Sequence, residues 1–77
     1  MPRDPKTAEI VAEMVANVMK VAVAPGDQLA AGDTVVLLES MKMEIPVLTE
    51  TGGTVTAIKV SEGDVVQEGD VLVTLDL

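Results

Sequence analysis

The sequence predicts an all-β fold in which two facing antiparallel sheets form a flattened barrel or sandwich with an approximate two-fold axis. Valine, isoleucine and threonine dominate the chain from Glu9 onward, and these residues favour strands. Gly-Asp pairs interrupt the apolar stretches at short intervals, as turns between short strands do. The chain also contains two copies of one unit of about 30 residues, and units of that size must pack on each other to bury an apolar face.

The two copies align without a gap at an offset of 37 residues. Gly26-Asp27 then falls on Gly63-Asp64, and Gly32-Asp33 falls on Gly69-Asp70. Apolar positions that agree at the same offset are Val18 and Val55, Val23 and Val60, and Leu38 and Leu75. The agreement indicates that each copy has the same order of strands and turns.

Each copy is expected to contain a short strand, a long strand, a very short strand and a second long strand, with Gly-Asp turns on either side of the very short one. In the first copy these strands are Glu9–Ala12, Asn17–Val23, Gln28–Ala30 and Thr34–Ser40. In the second copy they are Ile45–Leu48, Thr54–Val60, Val65–Gln67 and Val71–Leu75. A helix over Ala8–Ala16, capped by Thr7, is an alternative at the N-terminal side, and the repeat argues against it.

The domain organisation follows from length and composition. Residues 1–8 contain two prolines and several charges without periodicity, which predicts a flexible N-terminal tail. Residues 9–77 are expected to form a single domain, since the chain is too short for two. The start at Met1 fits a complete short protein, and it also fits a domain excised from a longer subunit.

The composition argues against several classes of function. The chain has no histidine and no cysteine, so it lacks the usual general base, the usual metal ligands and any Ser-His or Cys-His nucleophile. Its net charge is −8 and it has no aromatic residue, which argues against nucleic-acid binding. No apolar run approaches the ~20 residues of a membrane span, and the N-terminus has no signal peptide. We therefore expect a cytoplasmic protein without a membrane partner or an enzymatic activity of its own.

The segment between the two copies, Ser40-Met41-Lys42-Met43-Glu44, is the part that the repeat leaves unexplained. If the strands on either side pair, Met41 and Lys42 form the tip of a hairpin. The segment contains no Gly, Asn, Asp or Pro, the residues that tolerate a tight turn. A two-residue turn would therefore impose unfavourable φ values on Met41 and Lys42. Sequences break such local rules mostly at functional sites, so the segment is the candidate site.

The stretch ESMKME, residues 39–44, resembles the biotin attachment site of biotin carboxyl carrier domains. The downstream GGTV (residues 52–55) and EGD (residues 62–64) are spaced similarly, and the resemblance covers nearly all of residues 9–77. It implies a barrel-sandwich hybrid of two four-stranded sheets with the lysine on a hairpin at one end. Scaffold positions of the family fall on Glu39, Gly52 and Gly53.

The resemblance also implies the function. Lys42 would carry covalent biotin, and Met41 and Met43 would be recognised by biotin protein ligase and by the carboxylase. The chain would be a non-catalytic carrier that moves carboxyl groups from a biotin carboxylase to a carboxyltransferase acting on an acyl-CoA or a 2-oxo acid. Tethering the carried group makes its delivery a local event.

The sequence departs from the family pattern in three places. Ser40 stands where the family usually has alanine. Residues 12–16 replace a Pro-Met-Pro-Gly-like turn, so we expect a different local turn there. The gapless repeat leaves no room for the "thumb" insertion of some bacterial carriers.

Other interpretations stay open at this point. The domain could carry lipoate instead of biotin, although lipoyl domains usually have a triplet such as Asp-Lys-Ala. It could be an unmodified interaction module in which Lys42 is an ordinary solvated turn residue. Met41 and Met43 could pack in the core, since residues i and i+2 share one strand face. The aspartates of the Gly-Asp pairs could bind a metal ion, although turn formation fits their spacing better.

Overall fold

The computed structural model describes residues 7–77, and all regular elements of this part are β-strands. They are β1 Thr7–Val11, β2 Ala16–Val21, β3 Gln28–Leu29, β4 Thr34–Ser40, β5 Met43–Leu48, β6 Gly53–Ile58, β7 Val65–Val66 and β8 Val71–Asp76. The predicted all-β class is therefore confirmed. The alternative helix over Ala8–Ala16 is wrong, because β1 and the start of β2 occupy that segment.

The strands form two four-stranded antiparallel sheets, with the orders β1-β8-β6-β3 and β5-β4-β2-β7. The offset of 37 residues relates each strand of one sheet to the strand at the same position in the other. This arrangement is the predicted barrel-sandwich hybrid with an approximate two-fold axis. Each sheet contains two strands from each copy, so the two copies are interlocked through their backbones.

The four Gly-Asp turns share one hydrogen-bond pattern. In each turn the aspartate N–H donates to the carbonyl three residues earlier, at 3.0 Å. The carboxylate accepts from the N–H of that same residue, at 2.8–2.9 Å. The four glycines have φ between 92° and 96°, a range that favours glycine. The predicted turn role of the aspartates is confirmed, and no group of three or more acidic side chains within residues 7–77 is arranged to hold a metal ion.

The same turns join one copy to the other. Gly26 and Asp27 exchange two backbone hydrogen bonds with Val55, of 2.7 and 2.8 Å. The equivalent turn at Gly63-Asp64 exchanges two with Val18, both of 2.8 Å. A separate copy would leave these backbone groups without their partners, so the two copies must fold together.

The core between the sheets is aliphatic apart from one threonine. Its fully buried members include the repeat-related pairs Val35 and Leu72, Val36 and Val73, and Leu38 and Leu75. Neighbouring Val35 and Val36 are both buried because β4 has a bulge against β5 between Thr34 and Val36; a regular strand would turn one of them outward. The buried hydroxyl of Thr49 donates to the carbonyl of Thr51 at 2.6 Å.

Several predicted boundaries differ from the observed ones. The long strands end at Val21 and Ile58, two residues earlier than predicted, because the chain then crosses to the other sheet to form β3 or β7. β1 begins at Thr7, two residues before the predicted start. Thr7 and Ala8, assigned to the tail, therefore pair with β8, and the prediction for residues 1–6 lies outside the described residues.

Candidate functional site

The predicted hairpin tip forms between β4 and β5. These strands pair from Thr34 and Leu48 up to Ser40 and Met43, which leaves Met41 and Lys42 as a two-residue turn. Pro46 is accommodated because β5 is an edge strand, and one side of its backbone has no partner strand to receive a hydrogen bond. The tip is thus held at the end of a continuous antiparallel ladder.

The turn imposes left-handed backbone angles on both of its residues. Met41 has φ 52° and Lys42 has φ 66°, and no other residue than glycine has positive φ in the described part of the chain. Positive φ at both residues of a two-residue hairpin is the pattern of a type I′ turn, whose twist matches the twist of the two strands. The predicted unfavourable φ values are therefore confirmed, and each is expected to cost about 1–2 kcal/mol in a residue other than glycine.

The side chains at the tip are open to solvent. Met41 is 92% exposed and Met43 is 64% exposed, and Lys42 is exposed as well. The alternative that the two methionines pack in the core is therefore wrong. Burying a methionine is worth about 1.5–3 kcal/mol, so two flexible apolar side chains beside the amine form a surface that another protein can cover.

Two carboxylates lie at the base of the turn. Glu39 and Glu44 are directly opposite each other on β4 and β5, a position in which like charges are destabilising. On its other side Glu39 is opposite Asn17 of β2, and Asn17 is in turn opposite Val65 of β7. A single row of residues therefore crosses all four strands of this sheet just below Lys42.

This row borders a shallow depression beside the tip. The residues around it include Val15, Asn17, Glu39, Lys42 and Val65. Val15, Asn17 and Val65 were not identified as site residues from the sequence, because they are distant from Lys42 along the chain. A larger groove between the edge strands β1 and β5 has an apolar floor and contains none of the tip residues.

The family scaffold glycines serve packing and do not contribute to the tip. A Cβ atom on Gly53 would lie 2.7 Å from the carbonyl oxygen of Asp76, and one on Gly52 would lie 3.0 Å from that of Leu29. Both glycines therefore allow β6 to begin in close contact with β3 and β8. Glu39, the third scaffold position, belongs to the row below the turn.

The arrangement holds the backbone of Lys42 at the end of the hairpin and exposes its primary amine to solvent. The chain has no histidine or cysteine to act on that amine. An exposed primary amine of this kind is a nucleophile that can be acylated once it is deprotonated. No helix in residues 7–77 has the length and apolar character needed to cross a membrane.

Comparison with known proteins gives consistent matches over almost the whole chain. Residues 3–75 match the family described as "Biotin-requiring enzyme". The chain is 52% identical over 67 residues to the biotinylated protein TB7.3 homolog of Mycobacterium leprae, covering 87% of this chain and 94% of that protein. It is 51% identical over 63 residues to the biotin/lipoyl attachment protein of Bacillus subtilis, covering 82% of this chain and 86% of that protein.

Among solved structures, a similar fold occurs inside a single-chain, multi-domain long-chain acyl-CoA carboxylase. The superposition has a TM-score of 0.86 at 28% sequence identity. It covers 99% of this chain and 8% of that protein. The chain thus resembles one small module of a much larger enzyme.

Proposed function

This chain belongs to the family of biotin-requiring enzymes and biotin/lipoyl attachment proteins, and from that premise we propose that it is a biotin carboxyl carrier with Lys42 as its attachment residue. It is a carrier and not a catalyst. The observation that supports Lys42 is its place in a strained two-residue turn at the end of the β4-β5 hairpin. There the amine can enter the active site of another protein without disturbing the fold.

The other lysines of the described part do not share these features. Lys20 lies within β2, where it pairs with Leu37 of β4. Lys59 follows β6, and its N–H donates to the carbonyl of Leu72 at 2.8 Å. Both backbones are bonded to a neighbouring strand, whereas Lys42 lies in a hairpin turn beyond the last residue pair of its ladder.

The exposed tip fits covalent biotin. When attached, biotin supplies a ureido nitrogen that can hold a carboxyl group for transfer. The residues of this chain present the group: the antiparallel ladder fixes the direction of the tip, and the lysine side chain provides reach. Amide formation removes the lysine charge, so the formal net charge of −8 becomes more negative by one unit.

We assign the modification to a biotin protein ligase. The ligase must activate the biotin carboxylate and accept the proton that the amine releases, because the chain has no group suited to either task. Activation consumes ATP, so we place the modification in the cytoplasm. Met41 and Met43 form the surface that the ligase contacts on either side of Lys42.

The further partners are a biotin carboxylase and a carboxyltransferase. The similar module in a long-chain acyl-CoA carboxylase supports an acyl-CoA as the acceptor. In that enzyme the module is part of one large chain. The acidic tip, with Glu39 and Glu44 opposite each other, favours partners with basic docking surfaces.

Intact mass after incubation with biotin, ATP and a biotin protein ligase tests this proposal. We expect a gain of one biotinyl group in the wild type and none in Lys42→Arg. The controls Lys20→Arg and Lys59→Arg keep the gain, since both retain the tip. If the wild type gains no mass under conditions that modify a control carrier, biotin attachment is refuted. Lipoate ligase would then be tested in the same assay.

The role of the methionines needs a kinetic measurement. Truncating an interface residue that contributes about 1 kcal/mol lowers kcat/KM roughly fivefold. We expect a loss of that size for Met41→Ala or Met43→Ala as ligase substrates. Met19→Ala is the matched control because Met19 lies on β2 and is only 38% exposed. Equal kcat/KM values for the wild type and all variants would show that the ligase does not recognise the methionines.

A further inference from the structure

The depression beside Lys42 has two exposed valines at its border. Val15 precedes β2 and is 63% exposed, and Val65 begins β7 and is 65% exposed. Covering such exposed apolar side chains with another apolar group lowers the free energy, because apolar surface is removed from water. Lys42 borders the same depression, so a group tethered to its side chain can fold back over these valines.

The internal repeat provides a comparison for these two positions. At the offset of 37 residues Val15 corresponds to Gly52, and Val65 corresponds to Gln28. Gln28 occupies the same place in β3 as Val65 does in β7, which means that the fold accepts a polar residue there. The two valines therefore occur only at the end of the molecule that has the lysine, and strand formation does not require them.

Polar groups complete the border of the depression. Asn17 lies between Glu39 on one side and Val65 on the other, in the row that crosses the sheet. The amide of Asn17 can donate and accept hydrogen bonds, and the carboxylate of Glu39 can accept them. Together these side chains match a small ring that has an apolar body and a urea-like edge with N–H donors and a carbonyl acceptor.

We propose that this depression is a resting site for the bicyclic ring of the biotinyl group on Lys42, an inference that rests on the proposed function. The apolar part of the ring covers Val15 and Val65, and the ureido edge lies toward Asn17 and Glu39. The site is preformed, because its residues lie on or next to strands that are paired by backbone hydrogen bonds. Attachment to Lys42 supplies a high effective concentration, so a weak site is sufficient.

A resting site of this kind must release the ring easily. The depression is shallow and open, which limits the apolar area that the ring can bury. A partner that binds the free ring then shifts the population away from the resting state. The site keeps the apolar ring from solvent between encounters without competing strongly with a carboxylase active site.

NMR of the biotinylated protein tests the inference. Intact mass first establishes that the sample carries biotin. We expect the methyl signals of Val15 and Val65 to shift on biotinylation and to show nuclear Overhauser effects to protons of the biotin ring. Biotinylated protein whose signals change only at residues 41–43 would overturn the resting site and leave the carrier function intact. Absence of the mass gain would refute both.

A matched pair of variants gives a second measurement. Val65→Gln introduces the residue that the other copy has at the equivalent position, so the fold is expected to accept it. Gln28→Val makes the opposite exchange at the far end. If the ring rests for half of the time, Val65→Gln increases its rate of capture by streptavidin about twofold, whereas Gln28→Val leaves that rate unchanged. Equal capture rates for the wild type and both variants would contradict the proposal.

Discussion

Relieving the backbone strain at the Met41-Lys42 turn is expected to make the protein more stable. Lys42 has φ 66°, and a residue with a Cβ atom in the left-handed region costs about 1–2 kcal/mol. Glycine at this position removes that cost, and it is the preferred residue in the second place of a type I′ turn. Glycine also gives the unfolded chain more backbone freedom, which lowers the free energy of unfolding by about 0.5–1 kcal/mol. Lys42→Gly should therefore raise the free energy of unfolding by about 0.7 kcal/mol, within a range of about 0–1.5 kcal/mol.

Lys42→Ala is the matched control for this substitution. Both variants remove the same charge and the same exposed side chain, but alanine keeps the Cβ atom that makes the backbone angle unfavourable. We expect Lys42→Ala to stay within about 0.5 kcal/mol of the wild type, as surface substitutions usually do. The difference between the two variants then isolates the conformational cost of the turn.

Equilibrium unfolding in urea, followed by far-UV circular dichroism, measures the difference. Fluorescence is unsuitable because the chain contains no aromatic residue. A two-state fit with equal m values gives the free energies directly, and the glycine variant should unfold at a higher urea concentration than the alanine variant. A glycine variant that is no more stable than the alanine variant would refute the reasoning that the turn is strained.

Three further predictions test the scaffold. Gly53→Ala should destabilise by about 1–3 kcal/mol in urea unfolding, because its Cβ would lie 2.7 Å from the carbonyl oxygen of Asp76; stability equal to the wild type would contradict this contact. Asp64→Ala should lower the free energy of unfolding by about 0.5–1.5 kcal/mol, since its carboxylate accepts a 2.8 Å hydrogen bond from the N–H of Ser61. An unchanged urea midpoint would show that this hydrogen bond does not contribute to stability. A peptide of residues 7–40 should show no strand signal in circular dichroism, because its turns bond to the other copy, whereas a folded spectrum would show that one copy is sufficient.

The segment of residues 40–44 was predictable from the sequence in its backbone and not in its side chains. The absence of turn-forming residues in residues 40–44 indicated strain, and the structure has positive φ at both Met41 and Lys42. Local conformational preference was enough for that prediction, because a turn of two residues allows few backbone angles. The sequence does not determine the position of the methionine side chains, since alternation along a strand does not tell which face meets the core. Their exposure became known only from the packed sheets.

The sequence alone determined the class of the fold, the two-copy organisation and the place of the lysine between the copies. These features follow from residue types and spacings along the chain, which control local conformation and the burial of apolar faces. The tertiary structure decided which strands share a sheet and where the bulges lie. It also placed Asn17 between Glu39 and Val65 in the row of residues beside the lysine. Strand pairing uses backbone groups that nearly every residue has, so the sequence does not specify pairing directly. Long-range packing of both copies selects it, and the depression beside Lys42 is a consequence of that packing.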